Sequence, residues 1–229
     1  MPPPSRREME LDHVFVCTAR DAPEAERLHA LGLVEGTPNV HRGQGTANRR
    51  FFFANAMLEL LWVHDEIEAA SDLVSRTGLL ERWRGRAGPA CGFGFCFRTS
   101  AVPSAPTPFA TWDYHPPYLP PALGIPVATN SRILSEPMLF CSPMGGRPDA
   151  APLARRQPLH HGLGIQELTG TALVTPHAER PSPELGAAVE AGLLALRRGR
   201  EYRLELTFDR ARRGGEVDLG PDLPLVLRW

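Results

Sequence analysis

Apolar and polar positions along the chain predict a β-rich protein with a few short amphipathic helices. Residues 11–17 alternate, which places Leu11, His13 and Phe15 on one face of a strand and Asp12, Val14 and Val16 on the other. Asp21 then reads as a helix N-cap, with Glu24 completing a capping box and Pro23 in the first turn. Ala25, Leu28 and Leu31 supply helical spacing, and Gly32 stops the helix. Leu33, Val34 and Glu35 predict a brief second strand, and residues 36–47 a glycine-rich loop. Residues 50–54 predict a third strand, and residues 57–63 a fourth, entered through a tight turn at Asn55-Ala56. The first unit is thus β-α-β-β-β.

Downstream, residues 66–84 carry helical spacing through Ile67, Leu73, Leu79, Leu80 and Trp83, with Gly78 as a break point. Residues 91–98 alternate glycine with aromatic residues and predict a strand whose glycines permit close approach. Residues 101–126 are dense in proline and predict a long irregular loop, with short strands at 125–128 and 138–141 and a polar linker over 145–158. From Gly164 the opening pattern returns. A strand at 169–175 precedes a helix capped by Ser182, with Pro183 first and Leu185, Val189, Leu193 and Leu196 on one face. A strand at 201–209, a turn at Gly214-Gly215 and a last strand ending at Trp229 follow. The expected organisation is α+β: a tail at 1–9, a first β-α-β-β-β module plus linking helix at 10–87, an insertion at 88–160, and a second β-α-β-β-β module at 161–229. The two modules are expected to form curved, largely antiparallel sheets around a cleft, within one compact domain.

Composition narrows the function classes. A length of 229 residues supports a substantial core. Net charge is −1 and no basic stripe is interleaved with aromatics, which argues against a nucleic-acid partner. The apolar runs are too short for a membrane span, and the N-terminus lacks the apolar core of a signal peptide, so a cytoplasmic location is expected. All 25 basic residues are arginine, which excludes Schiff-base chemistry and a P-loop. The four cysteines are scattered without a CxxC pair, consistent with buried free thiols. No nucleophile elbow, dinucleotide fingerprint or HExxH occurs.

Candidate chemistry concentrates in residues 10–63. His13 and Glu59 each sit singly in an apolar strand, where an ionisable group is costly unless paired or bound. His13 reads as a metal ligand or general base, or as a strand histidine bonded to backbone. Glu59 reads as a cation ligand, or as the partner of Arg49 or Arg50. Those two arginines alternate in a strand, so one at most reaches into a cleft to clamp a carboxylate. The loop at 43–48 can present N–H groups and the Asn48 amide to a ligand, or can simply require glycine. Trp112, Tyr114, His115 and Tyr118 form a stacking wall for a ligand, or pin their own loop. His41, His64 and His177 read as surface residues.

In their order and spacing, the singlet histidine of Leu11-Asp12-His13-Val14, the segment Gly45-Thr46-Ala47-Asn48-Arg49 and the strand Met57-Leu58-Glu59-Leu60-Leu61 resemble the vicinal oxygen chelate superfamily, and within it the glyoxalase-like domain proteins. The resemblance implies paired units around a cleft and a divalent metal held by a first-strand histidine and a fourth-strand acid. In this chain those are His13 and Glu59, a donor set suited to Fe, Mn, Ni or Zn. It implies a lyase, isomerase or dioxygenase acting on a small oxygen-rich substrate, with non-catalytic sequestration of a small molecule as the alternative. It also implies a homodimer where a second subunit closes the cleft. Aligning the two units sets Thr171 and Val226 against His13 and Glu59, and neither is a competent ligand. Substitutes are then expected from His115, Glu136, His160 or His161, with Asn48, Arg50, Trp112, Tyr114 and Glu136 contacting substrate and His115 joining His13 and Glu59 in catalysis.

Overall fold

The computed structural model describes residues 9–99 and 106–229; residues 1–8 of the tail expected at 1–9 and the start of the proline-dense loop at 101–105 lie outside them. The protein is α+β, with two curled sheets and few helices. The first unit forms β1 (Met9–Cys17), α1 (Ala25–Ala30), β2 (Asn39–His41), β3 (Thr46–Phe52) and β4 (Met57–Val63). Met9 is a buried strand residue rather than part of a tail. Residues 33–35 contribute only a bridge from Glu35 to Phe51, and the second strand forms instead inside the expected glycine-rich loop. Asp21 is not the cap: it and Ala22 have positive φ, the helix starts at Ala25, and the Glu24 carboxylate accepts from Ala19 N–H at 2.8 Å.

The expected helix over 66–84 is three short ones, α2 (Glu66–Ala69), α3 (Asp72–Ser75) and α4 (Leu79–Arg84), with Gly78 at φ 71° before the last. The stretch expected to be an insertion supplies β5 (Phe93–Thr99), β6 (Thr111–Tyr114), β7 (Ile125–Ala128) and β8 (Met138–Cys141). Together these make one eight-stranded sheet ordered β2-β3-β4-β1-β5-β8-β7-β6. At its centre β1 and β5 run antiparallel, and each has a parallel neighbour, β4 and β8. Read outward from that pair, both halves follow the sequence first, fourth, third, second strand. The partner of the first unit in its own sheet is therefore residues 93–141, not residues 161–229.

The C-terminal third forms a second sheet behind the first. It contains β9 (Leu168–Thr175), α5 (Pro183–Glu190), β10 (Ala195–Arg198), β11 (Arg203–Phe208), β12 (Glu216–Asp218) and β13 (Leu225–Arg228), ordered β10-β9-β11-β13-β12. Ser182 caps α5 as expected, but the helix stops at Glu190; Gly192 turns the chain at φ 68°, and residues 195–198 pair parallel to β9 instead of extending the helical face. Thr171 and Val226 thus belong to the backing sheet, and the repeat alignment that opposed them to His13 and Glu59 does not describe the site.

Period-two alternation decides which side chains meet where. Val14 and Val16 of β1 and Leu58 and Leu60 of β4 face the second sheet, packing in one core with Phe95, Leu173, Leu206 and Leu227. Phe15 and Leu61 face the other way, into a smaller cluster with Tyr114, Ile125 and Met138. The second face is the one that carries His13 and Glu59.

Candidate functional site

A cavity of about 330 Å³ opens on that face, and His13, Arg50, Glu59, Cys96 and Tyr114 line it. Arg50 and Tyr114 come from β3 and β6, strands separated by six steps in the sheet order, or roughly 29 Å along a flat sheet. Only a strongly curled sheet sets both on one small cavity. The proline-rich loop completes the enclosure. Tyr118 stacks on His41 with ring centroids 4.9 Å apart, and its hydroxyl reaches the Gln44 side-chain oxygen at 3.3 Å.

The ionisable pair is held with defined geometry. His13 Nε2 lies 3.6 Å from Glu59 Oε2. The other imidazole nitrogen, Nδ1, is 2.7 Å from Asp12 Oδ1. Strict alternation places Asp12 on the opposite face, and a β-bulge explains the difference. Leu11 and His13 pair with the adjacent residues Phe97 and Cys96, so Asp12 is an extra, unpaired residue. The bulge turns Leu11 towards the core and lets Asp12 reach its neighbour. Arg98 fixes Asp12 from behind: Nη1 donates to Asp12 Oδ2 at 3.3 Å, Nε to Glu10 at 3.0 Å and Nη2 to the Asn55 carbonyl at 2.7 Å.

Glu59 is buried, 5% exposed, and Asn48 Nδ2 donates to its Oε1. The Asn48 side-chain oxygen accepts from Asn39 N–H at 2.8 Å, which fixes the amide orientation. Asn48 therefore positions Glu59, and Oε2 is the oxygen turned to His13. Arg49 pairs with Glu35 and Glu26, away from the pair. Arg50 donates through Nε to the Thr37 carbonyl at 2.7 Å, stacks over Phe52 and has no carboxylate partner among the described residues.

Burial works against the His13 imidazolium, but the hydrogen bond and charge of Asp12, helped by the Glu59 charge, raise its pKa overall. Burial also opposes ionisation of Asp12, yet His13 and Arg98 hold its carboxyl below the usual range. Burial lowers His41 more than the Glu59 charge restores it, so the same cavity has one histidine pushed towards the cation and one towards the neutral ring. Burial pushes the Cys96, Tyr114 and Tyr118 groups up, leaving all three protonated near neutral pH.

Several expected contributors stand elsewhere. His115 is exposed and does not line the cavity. Trp112 donates to Ser131 Oγ at 3.4 Å and carries Arg76 over its ring, so it pins its own loop. Glu136 is buried and accepts from Ser182 N–H, Ser182 Oγ and Asn130 Nδ2 at 2.6–2.7 Å, a clamp on the start of α5. His160 is exposed, while His161 is tied to Val34 N–H and the Phe52 carbonyl. The N–H groups of Gly43 and Gly45 both donate to Glu68, so that turn serves the fold. The contributors missed from sequence are Asp12 and His41. An acid adjacent to the strand histidine was a signal for the first; the second lies on an edge strand hidden in a glycine-rich segment.

Two of these groups could share a divalent ion. A separation of 3.6 Å between His13 Nε2 and Glu59 Oε2 is one that two ligands of a single ion can have, each about 2.0–2.2 Å from it. Asp12 on Nδ1 is the outer partner that orients such a histidine. A second grouping, Asp12, His13 and Cys96, has ligand atoms within 4.8 Å of one another and could also hold a metal. There Nδ1 and Asp12 already hydrogen-bond each other, whereas an ion at Nε2 would leave that bond in place. A larger cleft of about 820 Å³ lies between the sheets; two of its lining groups, Arg203 and Asp222, are engaged in the ion pairs Arg203–Asp218 and Arg27–Asp222.

No family model matches the chain, and no curated protein matches it. Among solved structures, the chain is similar to a crystal structure of a hypothetical protein from Staphylococcus aureus, with a TM-score of 0.57 at 9% identity over 96% of this chain and 98% of that one. At that identity the likeness shows a shared fold alone. No helix among the described residues is long and apolar enough to cross a membrane.

Proposed function

We propose that the cavity is the active site of a glyoxalase-like enzyme of the vicinal oxygen chelate type, acting on a small oxygen-rich substrate through proton exchange at His13 and Glu59. The observation that carries this reading is the Asp12–His13–Glu59 array, with one imidazole nitrogen anchored at 2.7 Å and the other facing a buried carboxylate at 3.6 Å. Asp12 fixes the ring and supports its protonated form, so His13 Nε2–H can donate to a developing negative oxygen. Asn48 holds Glu59 Oε1, leaving Oε2 to take a proton from an acidic C–H or O–H. The hydrogen bond between Tyr118 and Gln44 ties the proline-rich loop to the β2–β3 side of the cavity. A divalent metal, Fe, Mn, Ni or Zn, would be held by His13 Nε2 and the Glu59 carboxylate and would supply Lewis-acid polarisation of substrate oxygens.

The test is solvent exchange. A panel of small oxo- and hydroxy-carboxylates is incubated in D₂O, and loss of the acidic C–H signal is followed by proton NMR with wild type, His13→Ala and Glu59→Gln. Exchange should fall by about 10²–10⁴-fold in either variant. Chelator sensitivity and elemental analysis then report whether an ion takes part. Exchange at the wild-type rate in both folded variants would sink the proposal. A second reading, non-catalytic sequestration, is favoured by one observation: among the described residues, the wall on the β5–β8 side presents Cys96 and Phe140 and no imidazole or carboxylate. It predicts ligand-induced thermal stabilisation without exchange.

A further inference from the structure

The cavity has two unlike ends. On the β2–β4 side lie the ionisable groups, including Arg50, which stands opposite Glu59 in the strand register but makes no direct ion pair among the described residues. On the β6–β8 side the walls are Ile125, Met138, Phe140 and Tyr114. Tyr114 is 2% exposed, and its hydroxyl has no hydrogen-bond partner among the described residues. A buried hydroxyl left unsatisfied costs about 1–3 kcal/mol, and a phenylalanine would fill the same space without that cost. Both Tyr114 and Tyr118 line the cavity. The Tyr114 hydroxyl stays protonated, so it is a donor waiting for an acceptor.

Resting on the reading of this cavity as a substrate site, we propose that the ligand is a small aromatic monocarboxylate bearing an oxygen acceptor at its far end. Arg50 binds the carboxylate, the apolar walls take the ring, and the Tyr114 hydroxyl donates to the distal oxygen. The volume suits roughly ten non-hydrogen atoms, since ligands of this kind fill their pockets closely. Tyr114 is thus a specificity-determining residue. It selects against analogues that lack the distal oxygen, because they leave its hydroxyl buried and unpaired.

Calorimetric titration with three probes tests this: 4-acetylbenzoate, benzoate (no distal oxygen) and acetophenone (no carboxylate). Wild type should prefer 4-acetylbenzoate over benzoate by roughly three- to tenfold, the worth of one neutral hydrogen bond, and should bind acetophenone at least tenfold more weakly than 4-acetylbenzoate. Tyr114→Phe should erase the first preference while leaving benzoate affinity and the melting temperature of the free protein undiminished. Arg50→Gln should weaken both carboxylates and spare acetophenone. A merely structural role for Tyr114 would shift all three ligands together. Retention of the preference in Tyr114→Phe, or no binding of any probe to wild type at millimolar concentration, overturns the proposal. These titrations need no turnover, so the two readings fail separately. Wild-type exchange rates in His13→Ala beside a Tyr114-dependent preference leave the ligand class standing and remove the enzyme.

Discussion

Replacing Asp12 by asparagine isolates the electrostatic support of His13. Asparagine keeps an oxygen that can accept from Nδ1–H, so the geometry survives and only the charge is lost. A hydrogen bond to a charged group contributes about 1.5–3 kcal/mol against about 0.5–1.5 for a neutral one, so the substitution removes on the order of 1–2 kcal/mol. At 1.36 kcal/mol per unit this lowers the His13 pKa by roughly one unit. Arg98 remains satisfied by Glu10 at 3.0 Å and the Asn55 carbonyl at 2.7 Å, which guards against a new buried orphan. The assay is a proton–carbon NMR titration of the His13 ring, with urea melts across pH. The sign follows from the direction of each shift. His13 is raised in the folded protein, so its stabilisation is complete below the ordinary value of 6.5 and is lost as pH rises through the folded pKa. Asp12 is lowered, so its share is complete above its ordinary value of 3.8 and is lost as pH falls through its folded pKa. Wild type should therefore show a stability plateau between these two ordinary values, and Asp12→Asn a flatter, lower profile. An unchanged or higher His13 pKa in a folded Asp12→Asn protein would refute the reasoning.

Two further substitutions test how the cavity is built. Gly94→Ala would bring a methyl group within 2.1 Å of the Phe15 ring, which must then tilt into the cavity; we expect about 1–3 kcal/mol of destabilisation in urea melts and weakened binding of 4-acetylbenzoate. Glu136→Ala removes the acceptor for three hydrogen bonds at the start of α5 and should cost on the order of 2–4 kcal/mol, with the NMR titration of His13 unaltered. A Glu136→Ala protein that is stable but has lost ligand binding would return that residue to the site.

The sequence alone determined the strands that carry the pair. Alternation set His13 and Phe15 on one face of β1, but only the parallel register that opposes Phe15 to Glu59 put Glu59 on that same face. The cap at Ser182, the break at Gly78 and the close approach at Gly94 were likewise legible, because each depends on local backbone chemistry. What only the tertiary structure decided was non-local. Residues 93–141 complete the first sheet although their strands are short and proline-flanked, since pairing partners, not propensity, make a strand of four residues. Residues 58–62 and 225–229 read alike along the chain, each an apolar run ending in tryptophan, but β4 and β13 are parallel neighbours of central strands in separate sheets. A bulge of one residue moved Asp12 to His13, and the curl of eight strands brought Arg50, His41 and Tyr114 to one cavity. The residues of the pair were written in the local pattern; their surroundings came from how distant strands closed around them.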